Sequence, residues 1–510
     1  MSRIEESVRN SIASIGIQAG TVILSFTSRT VLIKTLGEQY LGISGLFGNI
    51  LSMLSLAELG VGSTMLYFMY KPMVEQDERK LNILMAVYAK VYNIIGLAIM
   101  VAGLLLSPFL GIFMKEIPDI PHLTFIFILY VLNIATSYLF VYKSSIINVA
   151  QKNYIVNIIK FIFFVMQNVV QILILLITKN YILYYSCSIL FGLLGNIAVS
   201  RKADQMFPFL KKTVEGRLTQ DEKKYIKKNI SAMFSHNLGT FIVFSTDNMI
   251  IAKFIGIVEV GLYSNYTMII NAIQTLVDLI FNSLNASIGN LMHSTSKEKS
   301  YEIFKNVLFA THWMVGFCAV SLYVLMNPFI TLWLGEKYTF QQYVVFFIVL
   351  NFFLNLVRRP ANTFKQTVGL FWNDRYKPFF ESAVNLIASL ILVKYYGIVG
   401  VFMGTTLSTL TICFWIEPYI LYRRFYDKSV FEYFEIVLKY ISITIISAIL
   451  ISKISKLFFS EVTLGSFIVQ MLLCVVVTNG LFWFVFRKSS EMEYMKNTLD
   501  GILKKILKRM

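Results

Sequence analysis

The stretch TSRTVLIKTLGEQYLG, residues 27–42, starts inside a long apolar run and sets Arg29 among residues that read as hydrocarbon-facing. A second stretch, TDNMIIAKFIGIVEVG at 246–261, repeats its Thr, Lys, Gly and Gly at the same four places. Shifting the chain by 219 residues superposes Thr27 on Thr246, Lys34 on Lys253, Gly37 on Gly256, Gly42 on Gly261 and Ile50 on Ile269. The shared pattern is T-x6-K-x2-G-x4-G. Glycine matches arise easily by chance, so the weight lies in position: both segments run from the end of one apolar span into the next.

Around these stretches the 510 residues are 56% hydrophobic, 15% aromatic and only 15% charged, far from the quarter-charged mix of soluble domains. Apolar runs long enough to cross about 30 Å of hydrocarbon as helix recur from residue 11 to residue 486. They are too long and too uniformly apolar for barrel strands with a wet inner face. The expected fold is an all-α integral membrane protein of about fourteen transmembrane helices, at 11–34, 41–68, 82–107, 123–142, 155–178, 181–200, 230–254, 260–290, 303–327, 341–357, 376–395, 398–421, 434–456 and 464–486. The start, MSRIEESVRNS, is charged where a cleavable signal would run straight into an apolar core, so it reads as retained. Cys187, Cys318, Cys413 and Cys474 are scattered singly inside spans with no metal-ligand spacing. No metal or cofactor is expected.

With both ends placed in the cytoplasm, the inner segments hold 33 Lys and Arg and the outer connections hold 8, as the positive-inside rule requires. The net charge of +17 is thereby topology and not a nucleic-acid surface. Its densest stretches, KKTVEGRLTQDEKKYIKK at 211–228 and LKKILKR at 503–509, suit anionic inner-leaflet headgroups.

The repeat offset amounts to six spans, an even number, so the halves share one orientation. Parallel repeats are related by an axis along the membrane normal and bind cargo near the midplane. The expected organisation is an N-terminal lobe at 1–200, a basic cytoplasmic linker at 201–229 and a C-terminal lobe at 230–422. Two appended spans follow at 434–486, then a basic amphipathic tail at 487–510.

LGEQYLGISGLFGNILSMLSLAELGVGS at 36–63 and NPFITLWLGEKYTF at 327–340 resemble bacterial polysaccharide-unit flippases of the Wzx type. These belong to the multidrug/oligosaccharidyl-lipid/polysaccharide (MOP) exporter superfamily. The resemblance spans nearly the whole chain, through loose family patterns and not catalytic signatures. It implies that an undecaprenyl-diphosphate-linked oligosaccharide moves from the inner to the outer leaflet of the bacterial plasma membrane by alternating access, for capsule or other surface polysaccharide. Further partners would be anionic membrane lipids and the polysaccharide polymerase machinery; the chain is expected to act as a monomer. The alternative is a small-molecule drug/cation antiporter of the same superfamily. An enzyme fits poorly, because the longest outer connections, 108–122 and 328–340, are short and hold no acid pair beyond Glu116 and Asp119.

A charge at mid-bilayer costs at least about 2.5 to 3.5 kcal/mol, so each should be buried in protein or face water. The residues concerned are Arg29, Glu58, Lys90, Asp247, Asp278 and Glu381, with the titratable His236 and His312. Lys160 and Lys305 lie near inner ends, where snorkelling accounts for them. Asp247 aligns with Ser28 under the repeat and Asp278 with Leu59, while Lys90 and His312 stand at matched depth in the third span of each lobe. Arg29 and Lys90 suit a diphosphate, the guanidinium by bidentate grip and the ammonium as a point charge, and His312 joins them as a substrate-binding candidate. Arg29 and Asp247 would also pair across the cleft as a gate. Asp247, Asp278, Glu58 and Glu381 are candidates for coupling to Na⁺ or H⁺, with Gln274 and Asn282 near Asp278 and Asn385 near Glu381. Each has a plainer reading: a structural ion pair within one lobe, a hydrogen-bonded core histidine for His312, a polar rim residue for His236. The 43 Phe and 28 Tyr read mostly as lipid-facing or belt residues.

Overall fold

Hydrocarbon offers peptide groups no partner, so each membrane-crossing segment must close its own hydrogen bonds. The computed structural model describes residues 3–507 except 59, 212–215, 217, 295 and 460, and among these there is no strand. The side chains of 3–15, 57, 232, 235–245, 279–280, 282–287, 289–294, 371, 499 and 501–507 lie outside that description. Eleven helical stretches among the described residues are long and apolar enough to span a membrane. The protein is therefore an all-α, multi-pass membrane protein. Those eleven coincide with predicted spans 1, 3–6 and 9–14; the other three predicted spans are helical but are broken or run long.

The chain divides into two compact units, Met1–Gly261 and Leu262–Met510. In the first, α1 (Arg3–Leu36), α2 (Glu38–Leu54), α3 (Val61–Val74), α4 (Glu78–Leu106), α5 (Leu123–Val149), α6 (Asn153–Thr178), α7 (Tyr181–Met206), α8 (Gln220–Ser245) and α9 (Asp247–Phe254) are followed by the start of α10 (Ile257–Ser294). The second holds the rest of α10, then α11 (Lys297–Leu334), α12 (Gln342–Val357), α13 (Arg359–Thr367), α14 (Lys377–Tyr396), α15 (Ile398–Ser408), α16 (Phe414–Leu421), α17 (Val430–Phe458), α18 (Leu464–Phe486) and α19 (Ser490–Leu507).

Within lipid, helices associate by close packing and not by the hydrophobic effect, which favours small residues at contacts. Gly96 of α4 lies where a Cβ would stand 3.0 Å from the Ala135 carbonyl of α5, and Gly316 of α11 where one would stand 2.7 Å from Thr444 Oγ1 of α17. The predicted span 41–68 is not one helix. After α2 comes a 3₁₀ turn at Ser55–Glu58, then Gly60 at φ 91°, left-handed backbone that suits glycine, and α3 starts anew. The predicted span 230–254 likewise breaks at Thr246, and Asp247 opens α9 with a carboxylate in the first turn.

The repeat now has a steric basis. Gly37 and Gly256, equivalent under the shift, both adopt positive φ, 88° and 156°. Gly42 and Gly261 lie where α2 meets the first turn of α10. A Cβ on Gly42 would strike the Ile257 carbonyl, and a Cβ on Gly261 the Glu38 carbonyl. Glu38 and Ile257 are also 219 residues apart, so this contact maps onto itself when the two copies are exchanged, as an isologous contact does.

Farther along unit one, Glu222 closes a capping box with Thr219 at the start of α8 and pairs with Lys80 of α4. The Lys80 ammonium is the main cause holding the Glu222 carboxyl below its usual 4.5. A depressed folded-state value means the stabilisation is present above the ordinary carboxylate range and is lost as pH falls through the depressed value. Amide exchange in the first turns of α8 should therefore quicken on acidification below about pH 4.5, and Lys80→Met should abolish most of that pH dependence. Unchanged dependence in the variant would remove the pair from the explanation.

Candidate functional site

The break between α2 and α3 leaves a carboxylate where a continuous helix would have carried an ordinary side chain. Glu58 ends the 3₁₀ turn, and both of its oxygens accept phenol bonds: Tyr92 of α4 donates to Oε1 at 2.8 Å and Tyr138 of α5 to Oε2 at 2.6 Å. The chain of hydroxyls continues behind Tyr92. Tyr88 donates to Tyr92 at 3.2 Å and Ser145 to Tyr88 at 3.3 Å. Tyr88 and Tyr92 lie one turn apart on α4 and so share a face, with rings edge-on at 4.5 Å. In front of Glu58 opens a cavity of about 530 Å³, lined by Ser52, Ser55, Ser63, Ile134 and Tyr138 together with the glycines of the break. Among the described residues, no Lys or Arg reaches Glu58 within ion-pair distance.

Arg29 stands on α1 beside Tyr184 of α7, whose hydroxyl also bonds Ser28. Tyr184 belongs to a wall of phenols. Tyr130 and Tyr185 stack at 3.8 Å, Tyr130 and Tyr181 share a 2.7 Å hydrogen bond, and Tyr40 packs on Tyr181 at 4.7 Å. Here is a guanidinium beside a phenol that belongs to a cluster of tyrosines, a combination suited to phosphate and adjoining sugar rings. Asp247 is half-buried with Oδ1 lacking a hydrogen-bond partner. Lys90 is exposed on α4, two residues from both Tyr88 and Tyr92, and shares its face with exposed Ile94, Leu97 and Val101. The structure thus points Lys90 away from Glu58.

In unit two the charges pair among themselves. Asp278 of α10 is bonded by Arg359, whose guanidinium also lies 5.8 Å from the Phe281 ring. Glu381 is buried on α14; one turn on, Asn385 donates to Thr405 at 2.9 Å. His312 is buried too, with Nδ1 2.8 Å from the Leu308 carbonyl and its ring against Tyr440. That is the core environment of the plainer reading, and His312 lines neither of the cavities described here. The side chains of His236 and Asn282 lie outside the described residues. Glu417, not among the charges singled out from the sequence, is fully buried on α16 and accepts from Arg358 at 2.7 Å and from Lys377. An acid inside the apolar run FWIEPYIL was the available signal.

A second cavity in unit two is of another kind. About 460 Å³ of groove runs between α11, α12 and α17, walled by Val320, Phe346, Val349, Phe353, Ile445 and Ile449, and it includes Lys453 and Lys456.

No protein-family model matches the chain, and no curated protein matches it in sequence. Solved structures do match. The lipid II flippase MurJ in an inward closed conformation aligns with a TM-score of 0.67 at 14% identity, over 94% of this chain and 99% of that one. An inward-facing multidrug-resistance MATE transporter of the MOP superfamily gives 0.61 at 12% identity, over 79% and 95%. The Vibrio cholerae MATE transporter VcmN gives 0.54 at 13%, over 84% and 99%. At such identities the likeness is one of fold alone, the fold these transporters share.

Proposed function

We propose that this chain, a membrane protein with the fold of MATE and MurJ transporters, is a flippase for a lipid-diphosphate-linked oligosaccharide. It works by alternating access with cation coupling, in surface polysaccharide assembly. The observation that carries the reading is the groove of α11, α12 and α17: apolar walls suit a long isoprenoid tail, and Lys453 and Lys456 suit an anionic head. The MurJ alignment supports it, since it extends over 94% of the chain where the MATE alignments reach 79% and 84%. Arg29 would grip the diphosphate, with the tyrosines around Tyr184 beside the sugars; an exchange of partners between Arg29 and Asp247 would accompany the change of access. The protein would sit in the bacterial plasma membrane as a monomer with both termini cytoplasmic, beside anionic lipids and the polymerase machinery that takes up its product.

Reconstituted in liposomes, the protein should carry an undecaprenyl-diphosphate oligosaccharide to the opposite leaflet, read by its accessibility to an impermeant glycan-modifying reagent. Arg29→Gln should lower the initial rate by roughly tenfold, the effect of losing one charge-assisted contact, and Arg29→Lys should restore part of it. The second reading, a small-molecule/cation antiporter, is favoured by the fold likeness to MATE transporters. Movement of a small cationic dye without movement of the lipid would establish it instead.

A further inference from the structure

Intramembrane acids can be neutralised by a cation, a metal or a proton. Asp278 has Arg359, Glu417 has Arg358 and Lys377, and Glu381 lies in the field of Arg358. Glu58 is built differently: two phenols hold its two oxygens, no described Lys or Arg reaches it, and it faces a cavity with serine-rich walls. Among the described residues no group of three His, Cys, Asp or Glu side chains is placed to hold a metal ion.

We propose that Glu58 is a proton-binding site opening on the cavity at the α2–α3 break, with the hydroxyls of Tyr138, Tyr92, Tyr88 and Ser145 as its polarised support. In the ionised state every hydroxyl in the chain Ser145, Tyr88, Tyr92 donates toward Glu58. Uptake is balanced simply: a hydronium in the cavity gives its proton to a carboxylate oxygen and leaves water. The new O–H must then donate. A neutral acid has one donor where the carboxylate had none, so the phenol facing that oxygen has to turn. If the turning phenol is Tyr92, Tyr92 donates to Tyr88 and Tyr88 to Ser145, reversing the chain.

The consequence falls on the helix break. Glu58 ties the 3₁₀ turn to α4 through Tyr92 and to α5 through Tyr138, with charge-assisted bonds about twice as strong as neutral ones. Protonation weakens both ties. The break is closely confined elsewhere: a Cβ on Gly60 would stand 2.6 Å from Met233 Cβ of α8, so loosening on the α4 and α5 side is the freedom available. The titratable groups facing Glu58 are Tyr88 and Tyr92 from α4 and Tyr138 from α5, with Tyr142 behind Tyr88 at 6.4 Å. From α2 and α3 come the hydroxyls of Ser52, Ser55 and Ser63. α8 meets the break at Gly60 through Ile230, Met233 and Phe234, which carry no titratable group; the His236 side chain on that helix lies outside the described residues. The site stands independently of the cargo; only its use in coupling rests on the flippase reading.

Infrared titration of the purified full-length protein in lipid nanodiscs tests it without cargo. Because the chain carries 29 Asp and Glu, the site is read in the wild-type-minus-Glu58→Gln difference spectrum, which should show a protonated-carboxyl band that grows as pH falls and shifts in D₂O. Tyr92→Phe and Tyr138→Phe each remove a bond to the ionised form, so the band should persist to pH values higher by about one unit. These ring-conserving variants keep the test open if Glu58→Gln fails to fold. Tyr88→Phe should give a smaller shift of the same sign. A spectrum unchanged in Glu58→Gln, phenylalanine variants titrating as wild type, or a band displaced when Na⁺ replaces K⁺ would each overturn the proposal, the last in favour of a sodium site. A band present as expected with no lipid transport would leave the proton site standing and sink the flippase reading.

Discussion

Glu417→Leu should cost about 3–5 kcal/mol of stability, the largest single-residue effect expected in unit two. Glu417 is fully buried on α16, and Oε1 takes bonds from both Arg358, at 2.7 Å, and Lys377. Deleting the carboxylate leaves two cations buried without a counter-charge, which costs far more than the pair contributes to stability. Lys365, 2% exposed and bonded to Asp374, adds positive field close by. Backbone deviation marks the same place: five-residue π-helical turns at Thr409–Cys413 and Tyr422–Tyr426 bracket α16, an irregularity frequent at functional positions. Thermal unfolding of the purified protein would measure the loss, and Arg358→Leu should lose a similar amount. The triple variant Glu417→Leu, Arg358→Leu, Lys377→Met removes every charge of the cluster and should recover much of the stability. A Glu417→Leu protein as stable as wild type would show that the cluster is not buried as described.

Which parts of this were legible beforehand follows from the range of the forces involved. The membrane class and most helices were, because hydropathy is local and each span must close its own hydrogen bonds. The repeat was legible for a sharper reason: Gly37 and Gly256 have positive φ, and Gly42 and Gly261 face backbone carbonyls, so a side chain at any of the four would be strained or would clash. The break at residues 55–60 was hidden, since LSLAELGVGS is apolar enough to pass for continuous helix. Arg29 and Glu58 stood out as charges in apolar runs, but their surroundings did not. Tyr92 and Tyr138 are 34 and 80 residues from Glu58, and Tyr184 is further still from Arg29. For Lys90 the depth was readable, but its helical phase against Tyr88 and Tyr92 had no reference until α5 and the break were in place. Glu417 lies near the end of the predicted span 398–421, and its partners Arg358 and Lys377 stand at the ends of two other predicted spans, 40 and more residues away in sequence, so nothing local joins the three.

Gly42→Val and Gly261→Val should be comparably damaging, each by at least about 1–3 kcal/mol, the range for overpacking a contact that cannot yield. Flexible side chains can move aside, but the obstacles here are the backbone carbonyls of Ile257 and Glu38, held in the first turns of α10 and α2. Relief would require the two helices to separate, forfeiting close packing that has no hydrophobic substitute in lipid. Gly48, also on α2, has nothing within 4 Å of an added Cβ. Gly48→Ala should therefore be neutral or mildly stabilising, since alanine favours helix over glycine by up to about 1 kcal/mol. Thermal stability of the three purified variants decides the matter. Because the contact maps onto itself under the 219-residue shift, the damage should appear from both sides, and Gly42→Val combined with Gly261→Val should cost less than the two single losses added, as residues sharing one contact do. If Gly42→Val proved as benign as Gly48→Ala, the close approach would be refuted. A large loss at Gly42 with none at Gly261 would keep the approach but abolish its two-fold character, and with it the physical ground for treating 27–42 and 246–261 as copies of one element.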